Sequence, residues 1–181
     1  TGAAIPDADR NSSSILITVR NQHYLFDCGQ GATQQMVRAH QDPTKVNTVF
    51  LSHLHYDHIA DFPYFIIATW ICDRKVRPSV VGPNGTKNFV DHLFENGAYT
   101  KDIEARSQYP KRAKNIEVLR PDVHECEPGV VFEDNYVKVR ACYVEHIPRE
   151  ISACFGLRMD TIDGNSISFS GDTAPCDRFV D

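Results

Sequence analysis

Hydrophobic and polar positions along the chain repeat with two different periods, which predicts strands and helices in alternation. Two apolar runs rich in β-formers, Ile15–Val19 and residues 24–27, are separated by a short polar turn and predict a hairpin. Residues 136–145 alternate, with Val137 and Val139 on one face and charged side chains on the other, as in a half-buried strand. Further strands are predicted at residues 46–52, 79–81, 116–119, 152–159 and 166–169.

A helical period marks several of the segments between these strands. Residues 32–39 and 86–95 predict helices, and residues 62–71 are apolar on every face, which predicts a buried helix. The polar stretch 97–114 is left unassigned. Helices lying between strands, together with hairpins, predict an α/β (α+β) fold of mixed sheets with helical cover.

Length and composition limit what the chain can be. Its 181 residues suit one domain, predicted to span residues 1–181, and a hydrophobic content of 41% indicates a packed core. The net charge of −5 argues against a general affinity for nucleic acids, although a local basic patch is compatible with it. The longest apolar run, residues 62–72, is well short of the roughly 20 residues that cross a bilayer, and the chain begins with no signal-peptide pattern.

The six cysteines are scattered singly along the chain, and no C-x-x-C pair indicates a zinc knuckle or a redox site. This usage predicts reduced thiols and a cytoplasmic location. Cys28 and Cys176 lie near the candidate site in sequence, and we expect them to serve in packing rather than in catalysis.

The segment with the clearest chemistry is residues 53–58, HLHYDH, which follows a predicted strand and holds three of the chain's eight histidines. His53 and His55 stand two positions apart, so their rings are expected on the same side. A turn would then bring Asp57 and His58 to the same point. Zinc accepts such nitrogen and oxygen ligands, so the segment predicts a metal site. The alternative is a surface loop with histidines placed by chance.

Four pieces of the sequence resemble the metallo-β-lactamase superfamily. Residues 53–58 resemble its His-x-His-x-Asp-His signature, and Asp27 within FDCGQG resembles its Asp-x-Gly turn. His146, at the end of a predicted strand, matches its third histidine, and Asp172 within SGDT matches its Gly-Asp-Thr turn. The resemblance implies a four-layer αββα fold. Within the superfamily the chain is most similar to the ribonuclease Z branch, in residues 12–14, 28–35, 52–58 and 170–176.

The resemblance implies a site for two zinc ions, with manganese or iron as alternatives. The implied ligands are His53, His55 and His146 for one ion, Asp57 and His58 for the other, and Asp172 as a bridge. Asp57 would also be the catalytic residue, as the candidate general base. Taken alone, His146 could be an ordinary polar residue at a strand end, and Asp172 a turn residue or helix N-cap.

Asp27 is expected to support the site without binding metal. Its carboxylate would accept the free ring N–H of a ligating histidine and fix the tautomer of that ring. The equal alternative is a simple turn residue before Gly29.

The activity implied by the resemblance is that of a zinc-dependent hydrolase. Its substrate would be a phosphodiester attacked by metal-bound hydroxide, as in an endoribonuclease of ribonuclease Z type acting on precursor tRNA. A homodimer is implied in the same way. The same site would serve an aryl sulfate, a lactone or a β-lactam, and a non-catalytic, metal-stabilised binding module is the alternative of another class. An iron-dependent oxidoreductase on the same fold is ranked last, because no residues mark a flavin or thiol-substrate site.

The chain departs from the family pattern in three places. The family's last metal-binding histidine, and the His–Glu pair of the ribonuclease Z branch, lie beyond the Gly-Asp-Thr turn, where this sequence stops. Most of the opening strand is also absent, so we expect a piece of a longer protein. Ribonuclease Z grips tRNA with an arm rich in Gly and Pro. Here residues 97–114 are polar and basic, and they predict a solvated face in preference to a phosphate-binding patch.

Overall fold

The computed structural model describes residues 4–180, and for Val180 it describes only the backbone. Its first sheet has five strands. They are β1 (Ile15–Val19), β2 (Gln22–Phe26), β3 (Val46–Phe50), β4 (Ser79–Gly82) and β5 (Asp122–Glu125), in that spatial order. β1 and β2 form the predicted antiparallel hairpin, and β3, β4 and β5 each join the sheet in parallel. The sheet is therefore mixed, as the sequence predicts.

The second sheet is antiparallel throughout, and its four strands follow one another in chain order. They are β6 (Gly129–Glu133), β7 (Val137–Tyr143), β8 (Phe155–Thr161) and β9 (Ser166–Phe169). The alternation predicted for β7 is confirmed, because Val137 and Val139 are buried while Arg140 is exposed.

The helices lie in the connections between strands of the first sheet, except for the last one, which follows β9. They are α1 (Ala32–Arg38), α2 (Tyr56–Ile59), α3 (Phe62–Ile71), α4 (Thr86–Phe94), α5 (Thr100–Ser107), α6 (Pro110–Ala113) and α7 (Asp177–Val180). Within residues 4–180 none of them has the length and apolar character that a membrane crossing requires.

Two hydrophobic cores lie between the layers, one between helices and the first sheet and one between the two sheets. Neighbouring side chains of β2 point in opposite directions, so Leu25 packs under α1, α3 and α4 while Phe26 packs between the two sheets. Phe26 stacks on Phe50 of β3, and both rings lie in the core to which β7 and β8 also contribute. On the outer face of the second sheet, α7 places Phe179 against Gly156. The order of layers is therefore helices, sheet, sheet, helix, the αββα arrangement that was expected.

One predicted strand is wrong. Residues 116–119 contain a 3₁₀ turn, Ile116–Val118, closed by a hydrogen bond from the Leu119 amide to the Ile116 carbonyl. Its apolar side chains are needed in the core beneath the helices, where Val118 and Leu119 are buried. A short apolar run does not distinguish a buried strand from a buried helical turn, which explains the error.

The loops that matter for chemistry leave one edge of the β-sandwich. β2, β3 and β4 run in parallel toward this edge, and the chain leaves β2 through Asp27, whose φ of 55° makes a sharp turn. β7 and β9 bring their own loops there, because hydrogen bonds join Phe155 to Ser52 and Ala174 to Glu145. Segments from both sheets thereby meet at one place.

Candidate metal centre

Three histidines from two distant parts of the chain converge at this edge. Nε2 of His146 lies 3.0 Å from Nδ1 of His55, and the ring centroids of His53 and His146 are 5.1 Å apart. One ring nitrogen from each of the three fits within 4.8 Å of the others, which is compatible with a shared cation.

A second group shares one histidine with the first. His53, His58 and Asp172 also bring one ligand atom each to within 4.8 Å of one another. Asp172 lies between the two groups, with Oδ1 3.3 Å from Nε2 of His58 and Oδ2 3.9 Å from Nε2 of His146. Asp57 is buried at the margin, with Oδ2 3.7 Å from Nε2 of His58.

A buried carboxylate beneath the histidines holds the assembly in place. Asp27 has no solvent exposure, and its Oδ2 accepts the Nδ1–H of His58 at 2.6 Å. The same carboxylate accepts two hydrogen bonds from Ser52, from the amide to Oδ1 and from the hydroxyl to Oδ2, each of 2.8 Å. Because Nδ1 of His58 is committed to Asp27, Nε2 is the nitrogen that faces the other ligands.

Burial and neighbouring charge set the protonation of this cluster. Desolvation raises the pKa of Asp27 above its ordinary value, although His58 and Ser52 oppose the shift. Burial works against protonation of His58, but its hydrogen bond and attraction to Asp27 raise its pKa overall. Burial, together with repulsion from the other histidines, lowers the pKa of His53 to about 3. His53 is therefore neutral at pH 7, the form that binds a metal.

Two glycines allow the ligand loops to approach this closely. A Cβ atom at Gly29 would lie 2.3 Å from the carbonyl oxygen of Asp57 and 2.6 Å from that of Ser13. Gly171 has a φ of 58°, and a Cβ there would lie 3.0 Å from Cβ of Ser52. Any larger residue would push apart the loops that carry Asp57 and Asp172.

The six ligands predicted from the sequence all lie at this edge, and Asp27 lies directly beneath them. Five of the six belong to the two compact groups, whereas Asp57 belongs to neither. Ser52 also belongs to this site, and the sequence pattern does not identify it, because a serine after an apolar strand carries no chemical signal of its own. Cys28 and Cys176 are buried, as expected of packing residues.

The donor set fits a cation. Nε2 of His53 is buried, and no residue in the described range 4–180 gives it a hydrogen-bond partner. A buried nitrogen left in that state is costly unless something binds it. Imidazole nitrogens and a carboxylate are ligands that zinc, manganese and iron accept.

The depressed pKa of His53 predicts that this residue contributes acid sensitivity to the metal-free protein. His53 stays neutral in the folded state down to about pH 3, whereas the unfolded chain takes up a proton near pH 6.5. The unfolded state then binds more protons, so the free energy of unfolding falls as the pH is lowered through this window. The raised pKa values of Asp27 and His58 act in the opposite sense.

Comparing wild type with His53→Gln isolates the contribution of His53. Urea unfolding of the metal-free proteins at pH 7, 6 and 5 is expected to show a smaller loss of stability on acidification in the variant. Equal slopes against pH would contradict the assignment.

Comparison with known proteins gives matches along the whole chain. The profile of the family described as Anti-Pycsar protein Apyc1 matches residues 1–181. A ribonuclease Z from Mycobacterium marinum is 33% identical over 182 residues, which cover 97% of this chain and 62% of that protein. A ribonuclease Z from Methanothermobacter thermautotrophicus is 29% identical over 86% of this chain and 45% of its own length. The chain thus spans about three fifths or less of these curated relatives.

Solved structures share the fold at lower sequence identity. The short form of human tRNase Z superimposes with a TM-score of 0.70 at 21% identity, covering 95% of this chain and 66% of that one. The metallo-β-lactamase fold protein YhfI of Bacillus subtilis gives a TM-score of 0.68 at 17% identity, over 96% and 60% of the two chains.

Proposed function

Because this chain belongs to the Anti-Pycsar protein Apyc1 family, in the ribonuclease Z-like branch of the metallo-β-lactamase superfamily, we propose that it forms the metal-binding part of a phosphodiesterase. One observation carries the proposal: the two groups of ligand atoms share His53, and Asp172 of the second group also lies near His146 of the first. This arrangement is suited to two neighbouring cations. Hydrolysis of phosphodiesters by two metals about 3.5–4 Å apart is a recurring chemistry.

The proposed ligands follow the two groups, except that Asp57 is added beside His58 and His53 is assigned to one ion only. One ion would be held by His53, His55 and His146, and the other by Asp57 and His58, with Asp172 reaching both. We propose zinc, since four imidazoles and two carboxylates suit it, with manganese or iron as alternatives. When bound, the ions would lower the pKa of water and polarise the phosphoryl oxygen.

The chain's own residues would orient the site and handle the proton. Asp27 would hold the His58 ring with Nε2 toward the cations, because it accepts the hydrogen on Nδ1. Asp57 would accept the proton of the attacking water on Oδ2, the carboxylate oxygen that lies nearest His58. Its low exposure would keep that oxygen away from bulk solvent.

Precursor tRNA is the first proposed substrate, because the relatives named ribonuclease Z match 97% of this chain. A small phosphodiester is the second, and the segment 97–114 favours it. Three of its basic residues already have carboxylate partners: Lys101 pairs with Glu104, Arg106 with Asp102, and Lys111 with Asp73. These charges are less available to a phosphate backbone, as on the solvated face that the sequence predicts.

We also propose a cytoplasmic location and a homodimer. All six cysteines lie in the described range, and none of them forms a disulfide, which supports a reducing compartment. Sedimentation of the purified protein would decide whether it is a dimer.

The function is tested by a substrate panel with controlled metal content. The protein that contains this chain is assayed on bis(p-nitrophenyl) phosphate, precursor tRNA, an aryl sulfate, a lactone and a β-lactam. We expect kcat/KM for a phosphodiester to exceed the other classes at least 100-fold. Chelation should abolish turnover, and zinc or manganese should restore it.

Other outcomes would replace this proposal. If the protein prefers a sulfate, a lactone or a β-lactam, the proposed metal site stands but the proposed substrate class is wrong. Two bound metals without turnover on any substrate would favour the non-catalytic module.

A further inference from the structure

Ser52 connects the buried Asp27 carboxylate to the histidine that both ligand groups share. It has no solvent exposure, and its hydroxyl lies 2.8 Å from Oδ2 of Asp27 and 3.0 Å from Nδ1 of His53. Asp27 therefore reaches His58 directly and reaches His53 only through Ser52.

The direction of these hydrogen bonds follows from the atoms involved. The Ser52 hydroxyl has one hydrogen, and the Asp27 carboxylate can only accept, so the hydroxyl donates to Asp27. Its contact with His53 must then run the other way, with Nδ1–H of the ring donating to the hydroxyl oxygen. A neutral imidazole has one N–H, so Nε2 of His53 keeps its lone pair. This is the buried nitrogen that lacks a partner among the described residues.

The backbone keeps the Ser52 hydroxyl in place. The Ser52 amide donates to Oδ1 of Asp27, and its carbonyl accepts a hydrogen bond of 2.9 Å from the Phe155 amide in the second sheet. Gly171 leaves space for the side chain, since a Cβ there would lie 3.1 Å from the Ser52 hydroxyl oxygen. The hydroxyl is thus held from both sheets.

We infer that Ser52 is a positioning residue, which fixes the tautomer and direction of the His53 ring by linking it to Asp27. The inference rests on the proposed function only in taking Nε2 of His53 to be a metal ligand. A hydrogen bond to the distal nitrogen of a ligating histidine typically changes metal affinity 10- to 100-fold. The His58 ring, bonded to Asp27 directly, does not depend on Ser52.

The test compares Ser52→Ala with wild type and with Ser14→Ala. Ser14 is a matched control, because its hydroxyl donates to the backbone carbonyl of Asp27 and not to its carboxylate. Zinc affinity is measured by competition with a chromogenic chelator. In Ser52→Ala we expect binding to weaken 10- to 100-fold, whereas Ser14→Ala should change it less than threefold.

A second readout needs neither metal nor turnover. Long-range ¹H–¹⁵N NMR of the folded, metal-free protein reports which ring nitrogen of His53 carries hydrogen. Wild type and Ser14→Ala should show a single Nδ1–H tautomer, and Ser52→Ala a mixture. The tautomer would stay unchanged if Ser52 served only in packing.

The two readouts separate failure of this inference from failure of the proposed function. Unchanged zinc affinity and an unchanged tautomer in a folded Ser52→Ala protein would overturn the inference. A wild-type protein that binds no zinc would overturn the proposed function, while the tautomer would still decide the role of Ser52.

Discussion

Asp27→Ala is expected to lower the free energy of unfolding by about 3–5 kcal/mol and to weaken metal binding in both ligand groups. The carboxylate is fully buried and accepts hydrogens from His58, from the Ser52 amide and from the Ser52 hydroxyl. Removing it leaves those donors without an acceptor in a site closed to water, which costs far more than the loss of the contacts themselves.

Denaturant unfolding of the metal-free protein measures this loss, and Asp42→Ala provides the control. Asp42 is exposed, and its carboxylate accepts hydrogen bonds from the amide and hydroxyl of Thr44 at the start of a 3₁₀ turn. Loss of such a cap costs about 1 kcal/mol. Similar losses in the two variants would mean that Asp27 is an ordinary turn residue.

Asp27→Asn refines the interpretation. The amide oxygen can still accept from the Ser52 backbone, but an NH₂ group in place of Oδ2 cannot accept from His58 or from the Ser52 hydroxyl. We therefore expect destabilisation close to that of alanine. Near-wild-type behaviour would show that shape, and not the acceptor, is what matters at this position.

The elements that the sequence predicts well are those with one clear period and one environment. The helix Phe62–Ile71 agrees with its predicted bounds, because an apolar run of that length can be satisfied only inside the protein. The hairpin before Asp27 also agrees, since β-formers flank a short polar turn.

Some of the elements that the sequence does not predict depend on distant partners. β5 consists of Asp122–Glu125, a mostly polar strand that pairs along β4, and no local pattern marks it. The polar stretch 97–114, which the sequence does not assign, contains two helices. Their apolar contacts with the core are few, so hydrophobic periodicity gives little signal.

The candidate site divides in the same way. The histidines and carboxylates are recognisable because these residue types are unusual in such a cluster. The role of Ser52 cannot be inferred from the sequence, because it depends on Asp27, 25 positions earlier, and on Gly171. A serine after a strand is common, and only the fold brings it between a buried carboxylate and an imidazole.

Asp57→Asn is expected to lower kcat on bis(p-nitrophenyl) phosphate by a factor of about 10²–10⁴ at saturating metal. The carboxylate lies outside both compact ligand groups, with Oδ2 3.7 Å from Nε2 of His58. We therefore expect it to contribute more to proton transfer than to holding the metal ligands in place. An amide of the same shape cannot take up that proton. Folding should change little, because no hydrogen-bond donor among the described residues depends on this side chain.

Asp61→Asn is the matched control for Asp57→Asn. Asp61 is as buried, at 6% exposure against 5% for Asp57, but its carboxylate accepts hydrogen bonds from Thr33 and not from the histidine cluster. Its variant should lose stability and keep kcat within a few-fold when folded. Both proteins are compared at equal metal content, determined by mass spectrometry. If Asp57→Asn, with two metals bound, turns over within tenfold of wild type, another group must take the proton.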